Sequence, residues 1–425
     1  MNLFMINESG NSTTYGIGTY IRELTALLAD SDMNICVVYL NSDHLENETE
    51  KINSIRHLHI PSPVVYNTTL NQNRQNELYY RNVLYILQLH IIDTENSVFQ
   101  INSFLNSTLV DIIKKKFQCK IITMVHYTNW GFSVYDNLQR LRNILHKNHL
   151  ESFDHGVKMK FDEEKALYAK SDYIVCFSNY MFEILCQDYQ LDPPKISIIP
   201  NGLSDTQLQK KKKDKICENH FNPRHLRTQW NISPQEKIIL FAGRIDEIKG
   251  VRHLIKAFRE TLKKFQNCRL MIAGSGNYNM CFQEAKEICT KITFTGLLEK
   301  GELYELYQIA DIGVVPSLFE PFGYVAVEMM MYELPVVVTA TSGLNEVVDV
   351  SCGLKVPMVV RSDSVEIDAI FLSEKILYLL QHPAEAKKMG QNGRKRYLKE
   401  YHSDVFRKNM LQLYESALIK KIEKR

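Results

Sequence analysis

Short apolar runs alternate with longer amphipathic stretches along almost the whole chain. In the first half the runs are Leu3 to Ile6, Ile35 to Leu40, Val98 to Ile101, Lys120 to Val125, Tyr173 to Phe177 and Ile196 to Ile199, the last followed by the turn Pro200-Asn201-Gly202. Continuous apolar character over a few residues marks strands buried on both faces, and the longer stretches between them have room for helices. A second series begins at Ile238 to Phe241 and continues through Leu270 to Ala273, Ile292 to Thr295, Ile312 to Val315 and Pro335 to Thr339. Strand and helix in alternation predict parallel sheets covered on both faces, here twice over. Residues 204–235 interrupt the pattern with the basic run Lys210 to Lys215 and few apolar positions, as suits a linker or exposed insertion. The expected division is therefore 1–203, a linker 204–235, a second domain 236–404, and a helix over 405–425 whose spacing is helical from Val405 to Lys424.

The segment from Pro316 to Glu328 stands out within the second series. It follows the strand ending at Val315 and carries Glu320 before a Pro321-Phe322-Gly323 break and Glu328 after it, in an apolar helix expected from Tyr324 to Tyr332. An ionised Glu328 among Val325, Val327, Met329, Met330 and Met331 is costly to bury unless something donates hydrogen bonds to it. A ligand's hydroxyl pair is one such donor; capping, pairing within the protein or reaching solvent are the alternatives. Gly323, Tyr324 and Val325 would open this helix, and the backbone N–H groups of a first turn favour an anion. Upstream, Gly243 to Gly250 follows the strand ending at Phe241 and places Arg244 and Lys249 at the mouth of a sheet, where open α/β folds bind ligands. Arg244 offers a planar fork and Lys249 a point charge to an anionic group.

Composition narrows the function classes. The 425 residues carry a net charge of only +2, so nothing global favours nucleic acid or strong membrane attraction. Nine cysteines without a Cys-x-x-Cys pair argue against a zinc site or a disulfide framework and fit a reducing, cytoplasmic setting. Met1 to Asn7 reads as a first strand rather than a signal peptide, and no apolar run reaches the roughly 18 to 20 residues of a membrane span. At most, peripheral contact through the lysine run is expected. No metal site is expected: Asp30-Ser31-Asp32 is the sole Asp-x-Asp and lies at a helix end, away from a phosphate loop. A nicotinamide cofactor is disfavoured, because Gly16-Ile17-Gly18 lacks the third glycine of the dinucleotide fingerprint, Ile21 standing in its place.

The Glu320 to Glu328 spacing, the Gly243-Arg244 loop with Lys249 before its last glycine, Phe294-Thr295-Gly296, Tyr307 with Ala310-Asp311, and Pro335-Val336-Val337 together resemble the family 4 glycosyltransferases. That resemblance implies the GT-B fold, with two Rossmann-like domains facing a cleft and a last helix crossing back to the first. It also implies retaining transfer of a sugar from a nucleotide-diphosphate sugar, UDP- or GDP-linked, to a glycan, lipid-linked or peptide acceptor, without cofactor or metal. By the same resemblance Arg244 and Lys249 stabilise the leaving diphosphate, Glu320 contacts the donor sugar, His126 reaches that sugar or the reacting centre, and Glu328 holds the ribose hydroxyls. Gly16 and Gly18 would form a flexible loop over the donor phosphate, Gly274, Gly296 and Leu297 the base pocket, and Gly323, Tyr324 and Val325 the phosphate seat, with Phe322 also on the donor-binding side. Ser178 matches a family position but also reads as a helix cap. Read from residues alone, His126 suits a packed or capping position and the two glycine turns suit turn chemistry. Departures include Tyr127 for the usual acidic neighbour of the histidine, Met329, Leu344 for the second glycine after Gly343, and Glu333 where the family has glycine. A non-glycine residue at a positive-φ helix end costs about 1 kcal/mol, which favours a rebuilt turn at Glu333. Two rival functions fit the same motifs: a GT-B epimerase or hydrolase of the sugar nucleotide, and a non-catalytic nucleotide-sugar-binding subunit.

Overall fold

The computed structural model describes residues 1–9, 16–62, 72–91, 96–102, 107–207 and 222–419. They form two compact units, one of residues 1–130, 144–202 and 403–425, the other of residues 131–143 and 203–402. Lys210 to Lys215, on which the linker and membrane expectations rested, lie outside the described residues. Within the stretch expected as a linker, Pro223–Gln229 forms a helix capped by Asn222, and Leu226 is buried.

The first unit is built on eight strands: β1 (Asn2–Glu8), β2 (Asn34–Ser42), β3 (Glu48–Ile52), β4 (Ile55–Pro61), β5 (Ser97–Ile101), β6 (Cys119–Met124), β7 (Tyr173–Cys176) and β8 (Ile196–Ile198). Their order is β3-β4-β2-β1-β5-β6-β7-β8, parallel except where β3 turns back antiparallel on β4. Leu3, Phe4, Met5 and Ile6 of central β1 are buried on both sides, which is why the strand reads as an unbroken apolar run. The apolar runs of the sequence do not mark β3, because every residue of Glu48–Ile52 is exposed. An edge strand made of Glu, Thr and Lys carries no apolar signature, and its charges blunt the open edge. The helix expected over the C-terminal segment is Ser403–Ile419, and it packs in this unit against the Gly16–Leu28 helix. Arg407 Nε donates to the Leu27 carbonyl at 2.8 Å, and buried Tyr414 donates to Gln100 of β5.

The second unit has a six-stranded parallel sheet: β9 (Lys237–Ala242), β10 (Cys268–Ala273), β11 (Ile292–Gly296), β12 (Ile312–Val315), β13 (Val336–Thr339) and β14 (Gly353–Val356), in the order β11-β10-β9-β12-β13-β14. A hairpin of β15 (Met358–Val360) and β16 (Val365–Ile367) follows. The chain runs outward from β9 through β10 to β11, then returns to the other side of β9 to place β12. The strand order therefore reverses between β9 and β12, and the crevice outside their carboxyl ends is where open α/β sheets take their ligands. The loops leaving these two strands are Gly243 to Gly250 and Pro316 to Gly323, the two segments that chemistry had already singled out. The core beneath is Ile239, Phe241, Leu254, Phe258, Leu270, Ile272, Val314 and Val337, all essentially inaccessible.

Candidate functional site

Close backbone contacts shape the loop after β9. Gly243 has φ +146°, and a Cβ on Gly274 would lie 1.8 Å from the Gly243 carbonyl oxygen, one on Gly276 2.3 Å from that of Ile245. Ile245 N–H donates to Ser275 O at 2.8 Å and Asn277 N–H to Ile245 O at 2.8 Å. The Gly274-Ser275-Gly276 turn thus has a packing reason: only glycine lets two main chains approach this closely. At the far end Gly250 has φ +67°, and a Cβ there would sit 1.8 Å from the Pro316 carbonyl oxygen. Leu318 N–H donates to Ile248 O at 2.7 Å. The loops after β9 and β12 are therefore stitched together by main chain, and their side chains meet above the strand reversal.

Lys249 Nζ lies 2.6 Å from Glu320 Oε2, and Ser317 Oγ donates to the same oxygen at 3.2 Å. Both partners are mostly covered, so water screens their attraction only in part. The backbone N–H of Lys249 is held by Asp246 Oδ1 at 2.9 Å, while the other carboxylate oxygen faces Arg244 Nη2 at 3.1 Å. Each expected cation thus has a carboxylate beside it, and one aspartate organises both ends of the loop. Asp246 and Ser317 were not picked from sequence; the Arg-x-Asp-x-x-Lys spacing was the available signal for the first.

The helix after the Pro-Phe-Gly break runs Tyr324–Met331, with Gly323 at φ +97° as its cap residue. Its first intrahelical bond is Val327 N–H to Gly323 O at 3.2 Å, so the opening turn presents N–H groups at the N-terminal end. Leu344 N–H donates to Glu320 O at 3.1 Å and its side chain lies over Gly323, so the residue that departs from the family's glycine pair shores up this turn. Phe322 is buried, with its ring against Tyr324 at 5.2 Å and Tyr401 at 5.8 Å. Glu328 is only 7 % exposed, and Tyr307 Oη donates to its Oε2 at 3.0 Å. A protein hydroxyl therefore supplies a hydrogen bond of the kind this carboxylate requires.

The rebuilt turn expected at the helix end is not found. Glu333 itself takes φ +58°, while Glu333 N–H bonds Met330 O at 3.1 Å and Leu334 N–H bonds Met329 O at 3.0 Å. This is the Schellman geometry a glycine ordinarily closes, here with a glutamate bearing the strain. Packing explains its persistence: a Cβ on Gly390 would lie 1.9 Å from the Glu333 carbonyl oxygen, and Arg394 Nη1 donates to Met331 O at 3.0 Å. The Pro383–Arg396 helix thus holds the turn in place.

At the ends of β10 and β11, Gly296 has φ +77° and Leu297 is 64 % exposed. Tyr278, Phe282 and Phe294 form an aromatic group nearby in sequence and sheet order, with centroids 5.5 to 6.2 Å apart. Tyr278 Oη donates to Gly274 O at 2.7 Å. Tyr278 and Phe282 were missed from sequence, although an aromatic pair four residues apart just past the glycine turn was legible.

In the first unit, Gly16 and Gly18 lie in the first turn of the Gly16–Leu28 helix; residues 10–15 before them lie outside the described residues. His126 leaves β6 with its ring edge-on to Tyr20 at 4.7 Å and against Phe177 at 5.1 Å. Its Nε2 is 3.5 Å from Asn102 Oδ1, which also accepts from Gln100 Nε2 at 2.8 Å. Burial lowers the His126 pKa to about 3, so the imidazole is neutral at physiological pH. Burial likewise raises the neighbouring Tyr127 to about 12. Ser178 caps the Asn179–Gln187 helix by accepting from Met181 N–H, the cap reading of that residue. Among the described residues no cluster of three side chains could hold a metal ion, and all eight described cysteines are free.

Two family models match the chain: Glycosyltransferase Family 4 over residues 14–207 and Glycosyl transferases group 1 over residues 224–396. An uncharacterized glycosyltransferase of Methanocaldococcus jannaschii is 31% identical over 201 residues, 44% of this chain and 49% of that protein. The chain spans about half the length of this curated relative, and less of the next ones. Among solved structures, sucrose-phosphate synthase from Thermosynechococcus elongatus matches 99% of both chains with a TM-score of 0.76 at 20% identity. The HepE protein of Anabaena, solved with UDP and glucose, matches 97% of this chain and 99% of its own with a TM-score of 0.69 at 13% identity. The two family models together take in most of the chain, one in each half, and the solved structures share its whole fold; the chain belongs to the group 1, family 4 glycosyltransferases and has their GT-B fold.

Proposed function

We propose that this protein is a retaining glycosyltransferase that moves a sugar from a nucleoside-diphosphate sugar, UDP- or GDP-linked, to a hydroxyl of a glycan, lipid-linked or peptide acceptor. The observation that carries the reading is the Lys249–Glu320 pair at the strand reversal of the second unit, beside the helix that begins at Tyr324 and buries Glu328. The diphosphate would lie on the opening turn, with Arg244 and Lys249 neutralising the charge that grows as the sugar departs. Glu320, already anchored by Lys249 and Ser317, would accept a hydroxyl of the donor sugar, and Glu328 the ribose hydroxyls. Leu297 and the aromatic group around Phe282 would offer an apolar face to the base. Neutral His126 would serve as a hydrogen-bonding group rather than a charge. No covalent nucleophile is needed: a phosphate oxygen of the leaving group can take the acceptor proton.

The test is a panel of UDP- and GDP-sugars, with product analysis with and without acceptor. Release of nucleoside diphosphate coupled to acceptor glycosylation supports the reading. Free or isomerised sugar formed without acceptor favours the epimerase or hydrolase, and binding without turnover favours a non-catalytic subunit.

A peripheral contact with anionic lipid at the cytoplasmic face is also proposed. Among the described residues no helix is long and apolar enough to cross a membrane. On the Gln72–His90 helix, Leu78, Tyr85 and Leu89 share one face and are 40%, 66% and 81% exposed. The Ser107–Lys116 helix packs beside it and ends in Lys114, Lys115 and Lys116. Both helices lead into neighbouring parallel strands, β5 and β6, so the lysines and Leu89 lie at the same end of the sheet, an apolar face next to positive charge.

A further inference from the structure

Tyr307 sits on the Lys300–Ile309 helix, between β11 and β12 in the chain, and has no place in the mouth of the sheet. It is almost wholly buried, its ring 6.0 Å from that of Tyr304 and 5.8 Å from that of Tyr332. Tyr332 is in turn hydrogen bonded to Thr206 at 2.9 Å, so the aromatic wall is itself pinned. The only hydroxyl on Tyr307 is spent on Glu328 Oε2 at 3.0 Å.

Glu328 needs such a partner for a reason beyond burial. The side chains next to it on the helix, Val327, Met329, Met330 and Met331, are apolar and inaccessible, so they carry no hydrogen-bond donor for a flexible three-torsion side chain. A carboxylate that is to receive two hydroxyls of a rigid ring must hold one rotamer, because each charged hydrogen bond weakens as its angle opens. A donor on a neighbouring rigid helix supplies that constraint. Toward an ionised carboxylate the phenol can only donate. Burial and the adjacent Glu328 charge also push its own ionisation well above the usual range, so it stays a donor across neutral pH.

We propose that Tyr307 is a positioning residue whose hydroxyl fixes the Glu328 carboxylate for the vicinal diol of the nucleoside ribose. The inference rests on the reading that Glu328 receives that diol. It makes Tyr307 a determinant of ribose recognition without contact to the ligand, and it distinguishes the tyrosine from its two aromatic neighbours, whose role is packing.

The experiment is calorimetric binding of UDP and GDP, each beside its 2′,3′-dideoxy analogue, to wild type, Tyr307→Phe, Glu328→Gln and the double variant, with melting curves of all four. Tyr307→Phe keeps the ring and its packing. Affinity for the preferred ribonucleotide is expected to fall about tenfold in Tyr307→Phe, the scale of one hydrogen bond to a charged group, while affinity for the dideoxy analogue stays within twofold. The double variant is expected to bind no more weakly than Glu328→Gln, since the hydroxyl acts only through the carboxylate. If Glu328→Gln loses the preference for ribose and Tyr307→Phe keeps it, the positioning role is overturned and the ribose reading stands. If Glu328→Gln also keeps the preference, both fall. Equal losses for both nucleotides in Tyr307→Phe, with a lowered melting temperature, would show a structural role and likewise overturn the proposal.

Discussion

Lys249 and Glu320 meet at 2.6 Å across two loops that leave adjacent parallel strands, and a third residue, Ser317, donates to the same carboxylate oxygen. The pair has two consequences that separate under mutation. Lys249→Ala removes a cation from the proposed diphosphate site and also leaves a largely covered carboxylate with Ser317 but without its cation. Arg244 pairs with Asp246 at a more exposed position, where an ion pair contributes little to stability. Both alanine variants are therefore expected to lose about 2 to 4 kcal/mol in kcat/KM, while only Lys249→Ala also melts lower. Steady-state kinetics beside thermal melts check this, and unchanged kcat/KM in both variants would remove the two cations from the mechanism.

Glu333 carries a left-handed conformation at φ +58° that glycine adopts without strain. Glu333→Gly is expected to raise stability by about 0.5 to 1 kcal/mol, because relief of strain outweighs the added freedom of the unfolded chain. Urea titration of the two proteins measures it. A lower midpoint in the variant would mean that the glutamate side chain has a compensating contact.

His126 gives a pH signature. Its folded pKa, about 3, lies below the value of an unfolded histidine, so its contribution to stability is full above about pH 6.5 and is lost as pH falls through the window down to 3. At pH 5 the loss is up to about 2 kcal/mol. Glu164 works in the opposite direction, because burial raises its pKa to about 8, so its contribution is full below the unfolded value and lost as pH rises toward 8. The difference between wild type and His126→Gln isolates the histidine. Denaturation at pH 7.5 and pH 5 is expected to show the wild type losing more stability than the variant; equal losses would mean that His126 is protonated in the native state.

Activity is expected to survive exhaustive treatment with EDTA, because the proposed mechanism assigns the leaving diphosphate to Arg244, Lys249 and backbone N–H groups. Loss of turnover that magnesium or manganese restores would refute that assignment.

Sedimentation with vesicles tests the lipid face. Binding to phosphatidylglycerol-containing vesicles at low salt is expected to weaken in Lys115→Glu/Lys116→Glu and in Tyr85→Ser/Leu89→Ser, and to be absent with neutral vesicles. Unaltered sedimentation of both double variants would place any membrane contact elsewhere.

The segments around the proposed site were legible because strand, glycine-punctuated loop and helix follow one another without interruption. Lys237–Ala242 leads to Arg244 and Lys249, and Ile312–Val315 leads to Glu320 and Glu328. What local pattern could not give was pairing at a distance. Tyr307 reads as one more aromatic on an amphipathic helix until the fold brings it to Glu328, and nothing in the loop sequences announces that Lys249 will sit against Glu320. The hairpin strand β3 escaped for a different reason: it is exposed on both faces, so hydrophobic periodicity has nothing to register. At Glu333 the expectation failed because propensity was weighed alone, whereas the Gly390 contact and the Arg394 bond make the turn a property of two helices.

The loops that bear Arg244, Lys249 and Glu320 are held by carbonyl-to-glycine contacts and by amide bonds such as Leu318 to Ile248 and Ile245 to Ser275. Few of these ties depend on what side chains the intervening residues carry. Ser275, Asn277 and Leu297 can therefore change identity while the frame that places the charges stays still. At the proposed nucleotide site, substitutions at these three positions would therefore cost recognition rather than folding.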